Sequence, residues 1–174
     1  MKKPYFIFLI LLFYSIAGCA QTKFSVGKKT FKKETFTITK SQILTNNQRS
    51  WFIFPEKNKY KGPVPPSFNN YQFKVLKSDI HLNIEQVNDI VYGNLKNKRQ
   101  ALHEKNEKLG IIFIFETDGS TANISYTLQE NTLITPVEIE QIDIDLRKNI
   151  KVTFTGTDYK YYKAVNYAFP YIKF

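Results

Sequence analysis

Four carboxylates lie close together in the sequence and are the first candidates for catalytic chemistry. They are Glu138, Glu140, Asp143 and Asp145. Two carboxyl groups roughly 5 to 10 Å apart across a cleft perform general acid and base catalysis in many hydrolases. Because these four residues alternate with isoleucines, they also fit the outer face of a half-buried element. We predict no catalytic residues, and a hydrolase is the least favoured of three functions.

The histidines offer little for a metal site. His81 and His103 are the two histidines of the chain and do not lie one helical turn apart. His103 and Glu107 do, but Lys105 and Lys108 lie close by, which is typical of a solvated polar face. The chain has no nucleophile-elbow, phosphate-loop or dinucleotide motif. The sequence therefore predicts no metal, no cofactor and no enzyme.

Cys19 has the most specific surroundings of any reactive residue. It is the single cysteine, so no disulfide forms within one chain. It follows Ser15-Ile16-Ala17-Gly18, at the end of an apolar run that begins after two lysines. A membrane-spanning helix needs about 20 apolar residues, whereas a secretory signal needs roughly 7 to 15. The length of this run therefore predicts a signal peptide over residues 1–18.

The basic start, apolar run and small residues before Cys19 resemble the signal of bacterial lipoproteins. The resemblance implies cleavage between Gly18 and Cys19 and a Cys19 that carries three acyl chains, enough for stable anchoring in the bilayer. No aspartate follows Cys19, which in such families goes with the outer membrane. The implied location is the periplasmic side of that membrane. An ordinary secretory signal with an incidental cysteine is the alternative.

Basic residues are concentrated near this anchor. The net charge is +10, and residues 22–61 hold ten Lys or Arg against two acids, whereas residues 62–174 hold thirteen of each. Each cation beside a bilayer adds about 1 kcal/mol of attraction to anionic head groups. The candidate contacts are Lys28, Lys29, Lys32 and Lys33; a solvated arm is the alternative. The predicted export argues against a nucleic-acid partner.

Tyrosines in the last part of the chain are candidates for contact with a partner, because exposed rings anchor proteins or stack on sugars. Tyr159, Tyr161 and Tyr162 lie in a polar, looped stretch and either contact a partner or pack in the core. Tyr167 and Tyr171 belong to a period-two pattern, which predicts that both rings face the core.

The first part of the chain predicts short strands. We interpret residues 23–34 as a tether, Thr35–Thr39 and Ser50–Phe54 as strands, and 57–70 as a loop rich in Gly, Pro and Asn. Gln72–Leu76 is predicted as a further strand.

Residues 84–107 have apolar side chains at helical spacing and predict one amphipathic helix. Two β-prone runs then flank Asp118-Gly119, a dipeptide typical of tight hairpins. Thr135-Pro136-Val137-Glu138 combines an N-cap, a proline at the first helical position and a capping glutamate. It predicts a helix over 136–148, although Ile142–Leu146 also alternates as a strand does.

Two strands complete the pattern, over Ile150–Phe154 and Ala164–Lys173. Pro170 places the second at a sheet edge, because proline donates no ladder hydrogen bond.

This order of elements over residues 84–174 resembles the C-terminal domain of TonB-type energy transducers. Gly110–Gly119 and Phe169–Phe174 carry the resemblance. TonB proteins are held by an uncleaved helix and have a long proline-rich segment, whereas this chain has a cleavable signal. The resemblance therefore extends to the fold and not to energy transduction.

We predict an α+β fold: a small antiparallel sheet packed by two helices and preceded by a basic arm with short strands. The predicted parts are 1–18 (signal), 19–70 (tether and N-terminal strands) and 71–174 (α+β module). The leading function is a non-catalytic binding or adaptor module, whose edge strand takes up an extended peptide from an envelope protein. The alternative is a structural protein that contacts membrane or cell-wall polymer through its basic arm.

Overall fold

The computed structural model describes residues 23–42, 49–61 and 75–174. The predicted signal 1–18, Cys19 and most of the predicted strand Gln72–Leu76 lie outside these residues. Within the described residues, no helix has the length and apolar character needed to cross a membrane.

Seven strands form one antiparallel sheet, in the order β1-β2-β3-β6-β5-β8, and β9 also pairs with β5. The described elements in chain order are β1 (Gly27–Thr30), β2 (Thr35–Gln42), β3 (Arg49–Pro55), β4 (Ile80–Leu82), α1 (Ile84–Asn94), α2 (Arg99–Glu104), β5 (Lys108–Phe115), β6 (Thr121–Gln129), α3 (Pro136–Asn149), β7 (Val152–Phe154), β8 (Val165–Ala168) and β9 (Ile172–Lys173). β4 and β7 pair separately as a small ribbon. The predicted α+β class is confirmed.

The N-terminal strands belong to the main sheet. β3 pairs with β6, so strands before and after the predicted boundary at residue 70 form one sheet. The tether predicted over 23–34 is wrong, because β1 lies inside this segment and pairs with β2. Phe24 is only 8% exposed and its ring centroid lies 6.1 Å from that of Trp51. Burial of the Phe24 ring against Trp51 fixes the segment to the body.

The prediction of one continuous helix over 84–107 is wrong. α1 ends at Asn94, a 3-10 turn follows, and α2 ends at Glu104. Asn106 then has a φ of 52°, the left-handed conformation in which asparagine terminates helices. The amide of Glu107 donates to the carbonyl of Leu102 and directs the chain into β5.

The hairpin β5–β6 and the helix α3 are confirmed. In the turn, the amide of Glu116 donates to the carbonyl of Ser120 over 2.8 Å, and Gly119 has a φ of 83°. A Cβ atom at Gly119 would lie 2.0 Å from the carbonyl oxygen of Val152, so this position requires glycine. α3 starts with the predicted capping box between Thr135 and Glu138.

The strand predicted over Ala164–Lys173 is divided into β8 and β9. Ala168 pairs with Ile112, and Ile172 pairs with Leu109. The chain therefore advances four residues from β8 to β9 while β5 advances three, which leaves one extra residue near Pro170. The extra residue reverses the side-chain alternation after Pro170. β8 and β9 form a sheet edge, as predicted for the strand that contains Pro170.

The two faces of the sheet have different environments. One face packs against the helices and forms the core with, for example, Ile38, Ile53, Phe113 and Ile124, each 0% exposed. The other face carries alternate residues of the same strands, and Ile112 there is 41% exposed. We call this second surface the open face.

Candidate functional site

A groove runs along β6 on the open face. Its floor is a row of short polar side chains from β6: Asn123, Ser125 and Thr127. One wall comes from β3 with Phe52 and Phe54, and the other from β5 with Ile112 and Ile114. The register places Phe52 opposite Thr127 and Ile112 opposite Ser125. The cavity has a volume of about 560 Å³.

The strand spacing sets the width of the groove. β3 and β5 are both neighbours of β6, so their backbones are about 10 Å apart, twice the spacing of paired strands. The short side chains of β6 therefore lie between two apolar walls that run along this strand. The hydroxyls of Ser125 and Thr127 each offer a donor and an acceptor, and the walls offer apolar contact. The arrangement provides binding chemistry along the floor and the walls.

The segment after β3 closes one end of the groove. The Asn58 side-chain amide donates to the carbonyl of Ile124 over 2.9 Å and its oxygen accepts from the Ile124 amide over 3.1 Å. The side chain of Asn58 therefore continues the ladder along β6 beyond the end of β3. Tyr60 is held next to it, because its amide donates to Asn123 Oδ1 and its carbonyl accepts from Asn123 Nδ2.

Tyr171 lies at the other end of the groove. A Cβ atom at Gly110 would lie 2.9 Å from Tyr171 Cε1 and 3.2 Å from the Cβ of Thr127, so the tyrosine ring lies over Gly110 on the open face. The ring is 57% exposed. The prediction that Tyr171 packs in the core is wrong, because the extra residue at Pro170 turns its side chain to the opposite face. Tyr167, at 5% exposed, is in the core as predicted.

The carboxylates near the rim of the groove are paired. Lys28 Nζ lies 3.1 Å from Glu56 Oε2, and Thr37 Oγ1 also donates to Glu56. The hydrogen bond from Thr37, followed by that from Lys28, lowers the pKa of the Glu56 carboxyl. The Tyr60 hydroxyl donates to both oxygens of Glu116 over 3.1 Å. Lys61 also lines the groove and bonds only the backbone carbonyl of Glu56, without an ion pair in the described residues. The described groove therefore disfavours a cationic ligand.

A buried carboxylate fixes α3 under the floor of the groove. Asp143 is 0% exposed and accepts a hydrogen bond from the Tyr126 hydroxyl over 2.9 Å. Arg147 Nε donates to it over 3.0 Å, and Lys57 Nζ lies 2.9 Å from it. Arg147 also donates to the Asn58 side chain, so the network connects the helix with the segment that closes the groove. Its role is positioning.

Tyr126 gives this network a pH dependence. Burial, and secondarily the neighbouring Asp143 charge, raises the pKa of the Tyr126 hydroxyl well above its usual value. An unfolded tyrosine ionises near pH 10, so the contribution of Tyr126 to stability is fully present below about pH 10 and is lost as the pH rises towards the folded pKa. In chemical denaturation at alkaline pH, the free energy of unfolding should fall by up to about 1.4 kcal/mol per pH unit for this residue.

The Tyr126→Phe variant should show a shallower alkaline loss than the wild type. Burial also raises the pKa of Tyr167, so the Tyr167→Phe variant is a matched control with a smaller expected change. Equal slopes for the wild type and Tyr126→Phe would contradict this assignment.

A second buried carboxylate holds α3 to the turn between β1 and β2. Glu140 is 2% exposed and accepts hydrogen bonds from the backbone amides of Lys32, Lys33 and Glu34, at 3.0, 2.6 and 2.6 Å. Three backbone donors aimed at one carboxylate satisfy both of its oxygens.

The four clustered carboxylates therefore have separate partners. Glu138 caps α3 and pairs with Lys98, and Asp145 accepts from Asn94. The interpretation of the cluster as an outer, solvated face is wrong for Glu140 and Asp143. Both side chains point from α3 towards the sheet or its turns and are buried there.

Glu107 and His103 are not a ligand pair. Glu107 is 0% exposed and accepts from the Leu133 amide over 2.7 Å, so its interpretation as part of a solvated face is wrong. His103 Nδ1 lies 2.9 Å from the carbonyl oxygen of Phe174. His81 Nε2 lies 3.3 Å from the hydroxyl of Thr155. The described residues contain no group of three or more His, Cys, Asp or Glu arranged to hold a metal ion.

The four candidate lysines do not form one patch. Lys28 lies opposite Thr37 in the register of β1 and β2, and its side chain faces the rim of the groove. Lys29 lies opposite Phe36 in β2, and its side chain faces the side of the sheet covered by the helices. Lys32 and Lys33 lie in the turn that follows β1, with exposed side chains and with their amides bound to Glu140.

The three candidate tyrosines lie around a 3-10 turn, Asp158–Tyr161. Tyr159 stacks on Phe154 with the ring centroids 4.7 Å apart. Tyr161 is 47% exposed and Tyr162 is half-buried. The structure does not bring these residues to the groove.

The sequence patterns do not predict the residues of the groove. Phe52, Ile112 and Ile114 lie in near-continuous apolar runs, which hide the difference between the two faces. The sequence feature that does indicate the open face is the alternation in β6, in which Asn123, Ser125 and Thr127 alternate with core residues.

No family model matches this chain, and no curated protein matches it either. Among solved structures, the chain is similar to a DUF5043 family protein from Bacteroides uniformis ATCC 8492, with a TM-score of 0.58 and 12% sequence identity. The match covers 89% of each chain. At this identity the similarity establishes a shared α+β fold and nothing about activity.

Proposed function

We propose that the mature chain is a non-catalytic binding module of the bacterial envelope, anchored by acylated Cys19, and that its ligand surface is the groove on the open face. The observation that carries the proposal is the pairing of exposed apolar walls with a hydroxyl-lined floor. Large apolar side chains exposed together on one surface are typical of binding sites. Ile112 and Phe54, from the two walls, are 41% and 37% exposed.

The proposed ligand is an extended segment of a partner protein that has apolar side chains and no basic ones. The groove follows the direction of β6, so an extended backbone lying along it would run over the polar floor. Its polar groups would bond with Ser125 and Thr127, and its apolar side chains would contact the walls. Because the carboxylates near the described rim already have partners, a cationic segment would gain little there and would lose hydration.

The open face supports binding better than the sheet edges do. β8 has four residues and β9 has two, and Pro170 between them provides no amide donor. β1, at the opposite edge, has four residues. Such short edges limit strand addition. Peptide uptake at the Pro170 edge therefore becomes the second candidate, and groove binding the first.

Two substitutions test the groove. Ile112→Lys places a charge in the wall, and the matched control Leu133→Lys places one at a site outside the groove that is equally exposed, at 39%. We expect Ile112→Lys to reduce recovery of a partner from envelope extracts at least tenfold, and Leu133→Lys to leave it unchanged. Melting curves must show both variants folded. Equal recovery by both variants would contradict the groove as the ligand surface.

The anchor is tested by the intact mass of protein from membranes. We expect the wild type to lack residues 1–18 and to carry acyl chains, and Cys19→Ala to carry none. A wild-type product that keeps residues 1–18 or is unacylated would contradict the anchor.

A further inference from the structure

The distance between the anchor and the folded body is short. Phe24 is packed against Trp51 and is 8% exposed, so the body begins there. Five residues lead from Cys19 to Phe24, and at about 3.6 Å per residue they span at most about 18 Å in any conformation. If Cys19 is acylated as proposed above, the end of the sheet near Phe24 stays close to the bilayer.

The register identifies which part of the sheet this is. Trp51 pairs with Leu128, Leu128 with Leu109, and Leu109 with Ile172. These paired residues form one row across the sheet, from Trp51 in β3, which contacts Phe24, to Ile172 in β9. Beyond these paired residues lie the first residues of β3 and β5 and the last residues of β6 and β9, which together form one end of the sheet. We call it the anchor end; its exposed cations are Lys23, Arg49, Lys108 and Lys173.

The anchor end has an unbalanced positive charge. Lys108 lies directly opposite Lys173 across two paired strands, an arrangement of like charges that destabilises a sheet unless an anion offsets it. In the described ranges, none of the four cations forms an ion pair. The acids nearby offset little of this charge, because Glu130 interacts with Arg49 but is paired with Lys40, and Glu107 is buried.

We propose that the anchor end docks on anionic lipid head groups and sets the orientation of the body on the membrane. The Tyr171 end of the groove then lies nearest the bilayer and the Tyr60 end faces away from it. Lys32 and Lys33 follow β1 at its other end and point away from the membrane, so they do not contribute.

The test couples the mature chain to vesicles through Cys19. As the single cysteine, it reacts selectively with a maleimide lipid, which makes the assay independent of acylation in cells. Trp51 is the single tryptophan and lies beside Phe24, so its energy transfer to a dansyl head group reports the distance of the anchor end. Phosphatidylcholine vesicles with and without phosphatidylglycerol are compared.

We expect transfer from Trp51 to increase when phosphatidylglycerol is present and to return to the phosphatidylcholine level in high salt. Changing Lys23, Arg49, Lys108 and Lys173 to Gln should abolish the increase. The matched control changes Lys32, Lys33, Lys151 and Lys163 to Gln, removes the same charge far from the anchor end, and should leave the increase intact. For uncoupled protein, each anchor-end charge removed should weaken vesicle binding about fivefold.

Transfer that is independent of phosphatidylglycerol, or that the control set lowers as much as the anchor-end set, would overturn the proposal. Failure of acylation in cells would instead refute the anchor and leave this measurement standing.

Discussion

Replacing Asp143 by alanine should lower the free energy of unfolding by about 3 to 5 kcal/mol. The carboxylate is fully buried and accepts from Tyr126, Arg147 and Lys57 at 2.9 to 3.0 Å. The variant leaves the Arg147 side chain, 16% exposed, without its carboxylate, and the Tyr126 hydroxyl without an acceptor. Uncompensated buried groups of this kind have a high desolvation cost. Urea denaturation at neutral pH measures the loss.

Two variants make this prediction specific. Asp145→Ala removes a half-buried carboxylate from the same helix, one that accepts from Asn94 and Gln141, and should cost less than about 1 kcal/mol. Asp143→Ala combined with Arg147→Met should cost less than the sum of the two single variants, because no unpaired guanidinium remains. Strict additivity would show that the two groups are not coupled.

Replacing Glu140 by glutamine should be the second most damaging change, with a loss of about 2 to 3 kcal/mol. The three backbone amides of the β1–β2 turn all donate to the carboxylate. Glutamine places an NH2 group against at least one of these donors, so that amide loses its acceptor, and loss of the negative charge weakens the remaining bonds. β1 is an edge strand held by this turn.

Amide hydrogen exchange measures directly how far the β1–β2 turn loosens in this variant. In Glu140→Gln, the amides of β1 and β2 should exchange faster, while those of the β5–β6 hairpin remain protected. The control Gln141→Glu changes the charge at the neighbouring, exposed position and should not alter protection. Unchanged exchange in β1 would show that the three amide bonds do not hold the turn.

Local signals in the sequence predicted the elements that depend on local chemistry. Asp118-Gly119 predicts its hairpin because the turn needs a positive φ, and the capping box predicts α3 because its partners lie within four residues. The tether over 23–34 was wrong for the opposite reason. The turn after β1 is bound by Glu140, more than one hundred residues away, and nothing near β1 in the sequence indicates that contact.

The residues of the candidate site also follow from contacts between parts of the chain that are distant in sequence. A period-two pattern predicts two faces but not which face the helices cover, so Ile111 and Ile112 look equivalent in sequence although one is 1% and the other 41% exposed. Tyr171 was predicted to be buried because the alternation continues through Pro170. One extra residue at that point, visible only in the pairing with β5, places the ring at the groove.

Site-specific photo-crosslinking in living cells tests the groove most directly. A benzophenone side chain at position 112 lies in the groove wall, and one at position 133 is equally exposed outside it. We predict a discrete adduct with one partner protein from position 112 and none from position 133. No adduct from position 112, or the same adducts from both positions, would contradict the groove as the binding surface.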